Sequence, residues 1–274
     1  MGKIKNIPFR VFCYVIVFLF LFIYLFPLFF VANTSLKSAQ DYLLHPTALT
    51  STWSFGNYIT AWNKANFGAY IGNSILYTGV CTICSLLLSL LIAFPISRKY
   101  VPGAGFLYLL FLCGLFLPNG MIPTFQMVLS MGLYDTKIGY MLVMTGVNAT
   151  SVFFFTGYFK SIPRELDEAA AIDGCGYLRY VIRCIVPLAQ PAMVSMGMLS
   201  MIGVWNDIVS STIYLTSESN YNITRGLFVF TGQYSNDWTL TAAGLLVVAA
   251  PLILIYIFGQ RYIVDGVMAG GLKG

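Results

Sequence analysis

Six apolar stretches dominate this 274-residue chain, at about 11–32, 70–96, 104–124, 138–158, 191–213 and 239–259. A helix needs about 20 apolar residues to cross a bilayer, and each stretch meets that length. The chain is 58% hydrophobic and 9% charged, against about 25% charged residues in ordinary soluble domains. The pattern predicts an all-α integral membrane protein with six transmembrane helices.

Charge placement sets the expected topology. With the N-terminus inside, eleven basic residues fall on the cytoplasmic side: Lys3, Lys5, Arg10, Arg98, Lys99, Lys160, Arg164, Arg179, Arg183, Arg261 and Lys273. Lys37, Lys64, Lys137 and Arg225 fall outside. This positive-inside bias predicts a multi-pass protein with both termini cytoplasmic. It also explains the net charge of +5 without nucleic acid as a partner. Lys3, Lys5 and Arg10 resemble the basic start of a signal peptide. The apolar run that follows is about 22 residues, however, against 7–15 in a signal peptide, and Phe30-Val31-Ala32 is a poor cleavage site. The first stretch therefore reads as an anchor.

Metal and nucleophilic chemistry find no support. Cys81 and Cys84 have CxxC spacing but no second pair and no nearby His. They read as small apolar helix residues, as do Cys13 and Cys113. Cys175 and Cys184 fall where thiols stay reduced, and His45 has no ligand partner in sequence. No catalytic, metal or cofactor-binding residue is assigned.

Between the spans, the segment at 33–68 is polar and carries Trp53, Phe55, Tyr58, Trp62 and Phe67, which suit an interfacial aromatic belt. Ser74, Thr78, Thr82, Ser85 and Ser89 recur at helical spacing and predict close helix packing in lipid. Pro118, Gly120 and Pro123 interrupt the third span. Such breaks occur where backbone lines a water-filled cavity, and a plain helix end accounts for them equally. Asp207, in Trp205-Asn206-Asp207, lies about six residues, ~9 Å, from the outer end of the fifth span. It reads first as a solvated outer-face carboxylate, with a substrate pathway through Trp205, Asn206 and Asp207 as the alternative. The long outer loop 214–238 is a candidate docking surface.

The charged island at about 160–190 carries the functional signal. Ser161-Ile162-Pro163 reads as a helix start, followed by Glu165, Asp167 and Glu168 near the positive end of the helix dipole. The apolar side, Leu166, Ala169, Ala170 and Ile172, is mostly small and can sink into a groove on another protein. Gly174 then turns the chain. Tyr177, Leu178, Val181, Ile182, Ile185 and Val186 form a second apolar stripe, Pro187 ends that helix, and Pro191 opens the fifth span. A lipid-surface helix accounts for the second half. It does not suit the first, whose alanines would bind lipid weakly and whose acids an anionic leaflet would repel.

The segment Glu168-Ala169-Ala170, Asp173-Gly174, Ile185, Pro187-Leu188 and Pro191 resembles the EAA loop of bacterial ABC importer permeases. Pro27, Ser35-Leu36-Lys37, Asn57-Tyr58, Asn73-Ser74, Trp205-Asn206 and the ending Gln260-Arg261-Tyr262, Gly266, Gly270, Lys273-Gly274 extend the likeness over nearly the whole chain. They are similar to the carbohydrate-uptake branch and its maltose-system G subunit. Cys175 stands where many relatives carry a small residue such as Ala. The resemblance implies a type I ABC importer permease fold in the bacterial inner membrane. An N-terminal segment at 1–68 would precede a transmembrane domain at 69–260 and a cytoplasmic tail at 261–274. Glu168, Ala169, Ala170, Asp173, Gly174 and Pro187 would couple it to a cytoplasmic ABC ATPase dimer, which binds the ATP and Mg. A second homologous permease, an extracytoplasmic binding protein and a sugar or oligosaccharide would complete the system. The chain has no Walker-type loop and would not hydrolyse ATP. An ion-coupled secondary transporter is the competing class; it would need membrane carboxylates or repeated broken helices.

Overall fold

The computed structural model describes residues 7–117, 120–230 and 237–271. The expectations for Lys3, Lys5, Pro118, the loop residues 231–236 and the ending Lys273-Gly274 lie outside the described residues. The helices are α1 (Ile7–Ser35), α2 (Ala39–Leu44), α3 (Gly56–Lys64), α4 (Phe67–Arg98), α5 (Ala104–Phe116), α6 (Met121–Ser130), α7 (Lys137–Met144) and α8 (Ala149–Ser161). They continue as α9 (Glu165–Ile172), α10 (Tyr177–Tyr180), a π turn (Val181–Ile185), α11 (Val186–Leu188), α12 (Gln190–Trp205), α13 (Val209–Tyr214), α14 (Ile223–Gly226) and α15 (Trp238–Gly271). No strand occurs among the described residues.

Three stretches are long enough and apolar enough to span as single helices: Phe9–Ser35, Phe67–Arg98 and Trp238–Ile257. Three further pairs of helices reach that apolarity only together: α5 with α6, α7 with α8 bent by 48°, and Tyr177–Leu188 with α12 bent by 75°, the last joining the island to the start of the fifth span. The protein is thus an all-α membrane protein with up to six spans. The fourth, expected as one run over 138–158, breaks at Thr145–Asn148. Asn148 is the reason: its Oδ1 accepts the Thr150 N–H at 2.9 Å and starts a new helix.

The chain divides into two compact units. One holds the residues up to Gly68 together with Gly226–Pro251. Its order after the first span comes from a buried lysine. Lys37 has no exposed surface, and its Nζ donates to the carbonyls of His45 (2.5 Å) and Pro46 (3.0 Å). A buried ammonium is tolerated only when it is hydrogen-bonded. Asn57 Nδ2 clamps the Ser35 and Lys37 carbonyls at 2.8 and 2.7 Å. Ser35 Oγ and the Tyr58 hydroxyl share a bond of 2.7 Å. The Ser35-Leu36-Lys37 and Asn57-Tyr58 pairs of the sequence are thus one hydrogen-bonded knot.

The second unit holds Ala69–Arg225 and the chain from Leu252. One of its cores packs Leu86, Leu90, Ala93 and Phe94 of α4 against Val152, Phe155 and Phe159 of α8, with Tyr180, Val181, Ile185, Ala189 and Ala192. The other gathers Tyr77, Cys81, Val128, Tyr140, Val204, Tyr214 and Leu215. Asn73 and Ser74 tie α4 to a later loop. Asn73 Nδ2 donates to the Ser219 and Tyr221 carbonyls at 2.8 and 3.0 Å, and Ser74 Oγ accepts the Ile223 N–H at 2.8 Å. All six cysteines are free thiols.

Candidate functional site

The island at 160–190 forms two helical pieces on the first of these cores. Ser161 does not start the first piece. It is the last residue of α8, and its Oγ turns back to the Tyr158 carbonyl at 2.7 Å. Pro163 cannot continue a helix, so the chain bends there and α9 begins at Glu165, with Arg164 at its N-cap and no side-chain cap. The three acids still occupy the first turn of α9, where the helix dipole favours them.

The far end of α9 closes as the glycine predicts. Gly174 has φ of +68°. The Cys175 N–H donates to the Ala170 carbonyl at 2.9 Å, and the Gly174 N–H to the Ala171 carbonyl at 3.1 Å. This is the Schellman pair of bonds, which satisfies the open carbonyls of a helix end. An added Cβ at Gly174 would meet nothing within 4 Å, so substitution is opposed by backbone strain alone. Gly174→Val is expected to destabilise the protein by about 1–2 kcal/mol, measured by thermal unfolding of the purified protein. Gly174→Asn should cost clearly less, because Asn tolerates this conformation. Equal losses for the two would show that strain at Gly174 is not what matters.

The two faces of α9 differ. Glu165, Glu168, Ala169 and Asp173 are exposed, and Ile172 is 86% exposed. On the other face Ala170 packs onto the core, and Asp167 meets Arg98 at the end of α4. Arg98 Nε lies 2.8 Å from Asp167 Oδ2 in a pair whose side chains are 3% and 11% exposed. Arg98 Nη1 also donates to the Ile162 carbonyl at 3.0 Å. The Tyr100 hydroxyl donates to Asp167 Oδ2 at 3.2 Å, and the Tyr180 hydroxyl donates to Oδ1. Burial, and then the Asp167 charge, push the Tyr100 phenol up from its ordinary value, so it stays a protonated donor. Phe94 stands beneath this cluster, 5.9 Å from the Arg98 guanidinium. Arg98, Tyr100 and Tyr180 were not singled out as anchors from sequence, because nothing in their spacing pairs them with Asp167.

The second piece also departs from expectation. Pro187 does not end the helix. The helix runs through the π turn to Leu188 and bends only at Ala189. Pro has no N–H and crowds the preceding turn, and a π turn is one way a helix absorbs such a mismatch. It also redirects the apolar stripe. Tyr180, Val181 and Ile185 are buried, whereas Tyr177, Leu178 and Ile182 are exposed.

Trp205, Asn206 and Asp207 sit where α12 gives way to α13. Trp205 is 3% exposed, Asn206 is exposed and Asp207 is half-buried. Asp207 Oδ2 accepts from the Tyr140 hydroxyl (3.0 Å) and the Ser211 N–H (2.8 Å), while Oδ1 accepts from the Ser210 N–H (3.1 Å). A carboxylate that receives backbone N–H groups at the start of α13 has a local structural task. Asp135, between α6 and α7, receives the Thr216 and Ser217 N–H groups at 2.8 and 2.9 Å. Burial raises its pKa, but the bonds from Ser217 and Thr216 outweigh that and hold the carboxyl below its usual range. The pin is therefore intact above the ordinary carboxylate pKa and is lost as pH falls through the lowered one.

No protein-family model matches the chain. Curated relatives do. A probable ABC transporter permease protein, YurM of Bacillus subtilis (strain 168), is 31% identical over 264 residues, 95% of this chain and 88% of that protein. The inner membrane ABC transporter permease protein YcjP of Escherichia coli (strain K12) is 33% identical, over 93% of this chain and 94% of that one. The melibiose/raffinose/stachyose import permease protein MelC of Bacillus subtilis (strain 168) is 28% identical, over 90% and 91%. A crystal structure of a bacterial ABC transporter involved in import of the acidic polysaccharide alginate matches with a TM-score of 0.85 at 22% identity. That match covers 96% of this chain and 99% of the other. The fold and the identities agree: the chain belongs to the ABC transporter permease family.

Proposed function

We propose that this chain is a permease subunit of an ATP-driven, binding-protein-dependent importer of a sugar or oligosaccharide. It would form half of the transmembrane path in the bacterial inner membrane, with both termini cytoplasmic. A second homologous permease would form the other half, and a cytoplasmic ABC ATPase dimer would bind and hydrolyse the ATP. Glu168, Ala169, Ala170, Asp173 and Gly174 would form the docking end of α9, with Pro187 shaping the arm that returns to the fifth span. The observation that carries the reading is α9 itself. One face is fixed to α4 by a buried ion pair, while the other presents Glu168, Ala169 and a nearly bare Ile172 to solvent. An isoleucine so exposed on a rigid, low-profile helix fits a partner's groove. The sugar class is supported by relatives such as MelC, named for melibiose, raffinose and stachyose import.

Reconstitution tests this. Proteoliposomes holding both permeases and the ATPase, supplied with a loaded binding protein, are expected to import sugar only when ATP is present. Import by this chain alone, driven by an ion gradient, would instead establish a secondary transporter.

A further inference from the structure

The break in the fourth span lies deep. α7 supplies eight residues on one side and α8 thirteen on the other, about 12 Å and 20 Å of helix at 1.5 Å per residue. Non-helical backbone at such depth is tolerated only where protein buries it or a polar cavity receives it. Two cavities meet the break, of about 400 and 370 Å³, and Met144, Gly146 and Asn148 line both.

The break carries unused hydrogen-bonding capacity. The Met141 carbonyl is taken by the Thr145 N–H and hydroxyl, and Gly146 by Ser85 Oγ at 3.3 Å. Among the described residues, the carbonyls of the lining residues Val143 and Met144 receive no donor. Asn148 is exposed and spends its Oδ1 on capping α8, and its Nδ2 donates to no described residue. The hydroxyls of Thr150, Ser200 and Ser210 line the same two cavities. Met121, Val147 and Ile213 supply apolar lining to the first cavity, and Met196, Leu199 and Val204 to the second. Among the described lining residues there is no Lys, Arg, His, Asp or Glu. Asp207 is not one of them, and its oxygens are already engaged by Tyr140, Ser210 and Ser211.

Carbonyl acceptors, one amide donor and hydroxyls that act as both match a ligand whose hydroxyls also donate and accept. Apolar walls match its C–H faces. An anionic ligand would enter with no cation to pair it, which is costly away from water. We propose that the α7–α8 break, with Asn148 as its amide donor, is a binding site in this chain for an uncharged sugar in transit. The proposal rests on the importer reading above and adds the site and the charge class of its occupant. By the same chemistry, this chain should not carry an acidic saccharide of the kind handled by the alginate importer that shares its fold.

The test uses the full complex in proteoliposomes, with melibiose, raffinose, diacetylchitobiose and an alginate oligosaccharide as probes, and compares wild type with Asn148→Asp and Asn148→Ser. Both replacements keep an oxygen to cap α8, and both remove the amide donor. Sugar imported per ATP hydrolysed is expected to fall about tenfold in each, at an unchanged thermal midpoint. Wild type should import a neutral probe and not the alginate oligosaccharide. Unchanged import per ATP in both variants, or wild-type import of the acidic probe, would overturn the site while leaving the importer standing. Failure of the wild-type complex to import any probe would overturn the sugar reading and this site together.

Discussion

Replacing Asp167 with Ala is expected to lower the stability of the purified protein by about 3–5 kcal/mol, the usual cost of stranding one member of a buried ion pair. Arg98 is 6% exposed and lies 2.8 Å from that carboxylate. Without it the guanidinium keeps only the Ile162 carbonyl as an acceptor. The Tyr100 and Tyr180 hydroxyls lose their acceptor in the same step. Replacing both members with apolar residues, Arg98→Met with Asp167→Leu, should recover most of the loss, because no charge then remains buried. Thermal unfolding of wild type, single and double variants in one detergent measures both effects. A single-variant loss under about 1 kcal/mol would place the pair in the class of weak surface bridges and remove it as the anchor of α9.

How much of this was readable beforehand varied with the range of the interaction. Spans announced themselves through length and apolarity, and the end of α9 through Gly174, because bilayer thickness and backbone strain act on a few adjacent residues. Ser161 looks like a helix start in sequence yet closes α8, because a serine hydroxyl serves a helix end as readily as a helix start; which carbonyl or N–H it meets is set by Pro163. Long-range pairing left no local trace at all. Tyr100 and Asp167 are 67 residues apart, and only the fold brings them together. Asn148 was an overlooked local signal. An N-cap residue after a glycine, inside an apolar run, marks a helix restart in lipid as it does in water. The motif pairs of the first unit and α4 were recognised by resemblance before their chemistry was visible, and that chemistry is the capture of exposed backbone by Lys37, Asn57, Asn73 and Ser74.

Reversing the charge one residue further along, Glu168→Lys, should have the opposite profile. Glu168 is exposed, and the ion pair that anchors α9 is made by Asp167 instead, so the fold has little to lose. The cost within the chain is its favourable place at the start of α9, about 0.3–1 kcal/mol. Import, however, is expected to fall at least about a hundredfold, because a reversed charge in a docked contact loses its partner or meets a like charge, at a cost of several kcal/mol, and the coupling helix proposed above would no longer seat. Import and thermal midpoint, measured on the same preparation, separate the two residues. Asp167→Ala loses both, and Glu168→Lys loses import alone. Import retained within about twofold in Glu168→Lys would remove the exposed face of α9 as the point of coupling, whatever the anchored face does.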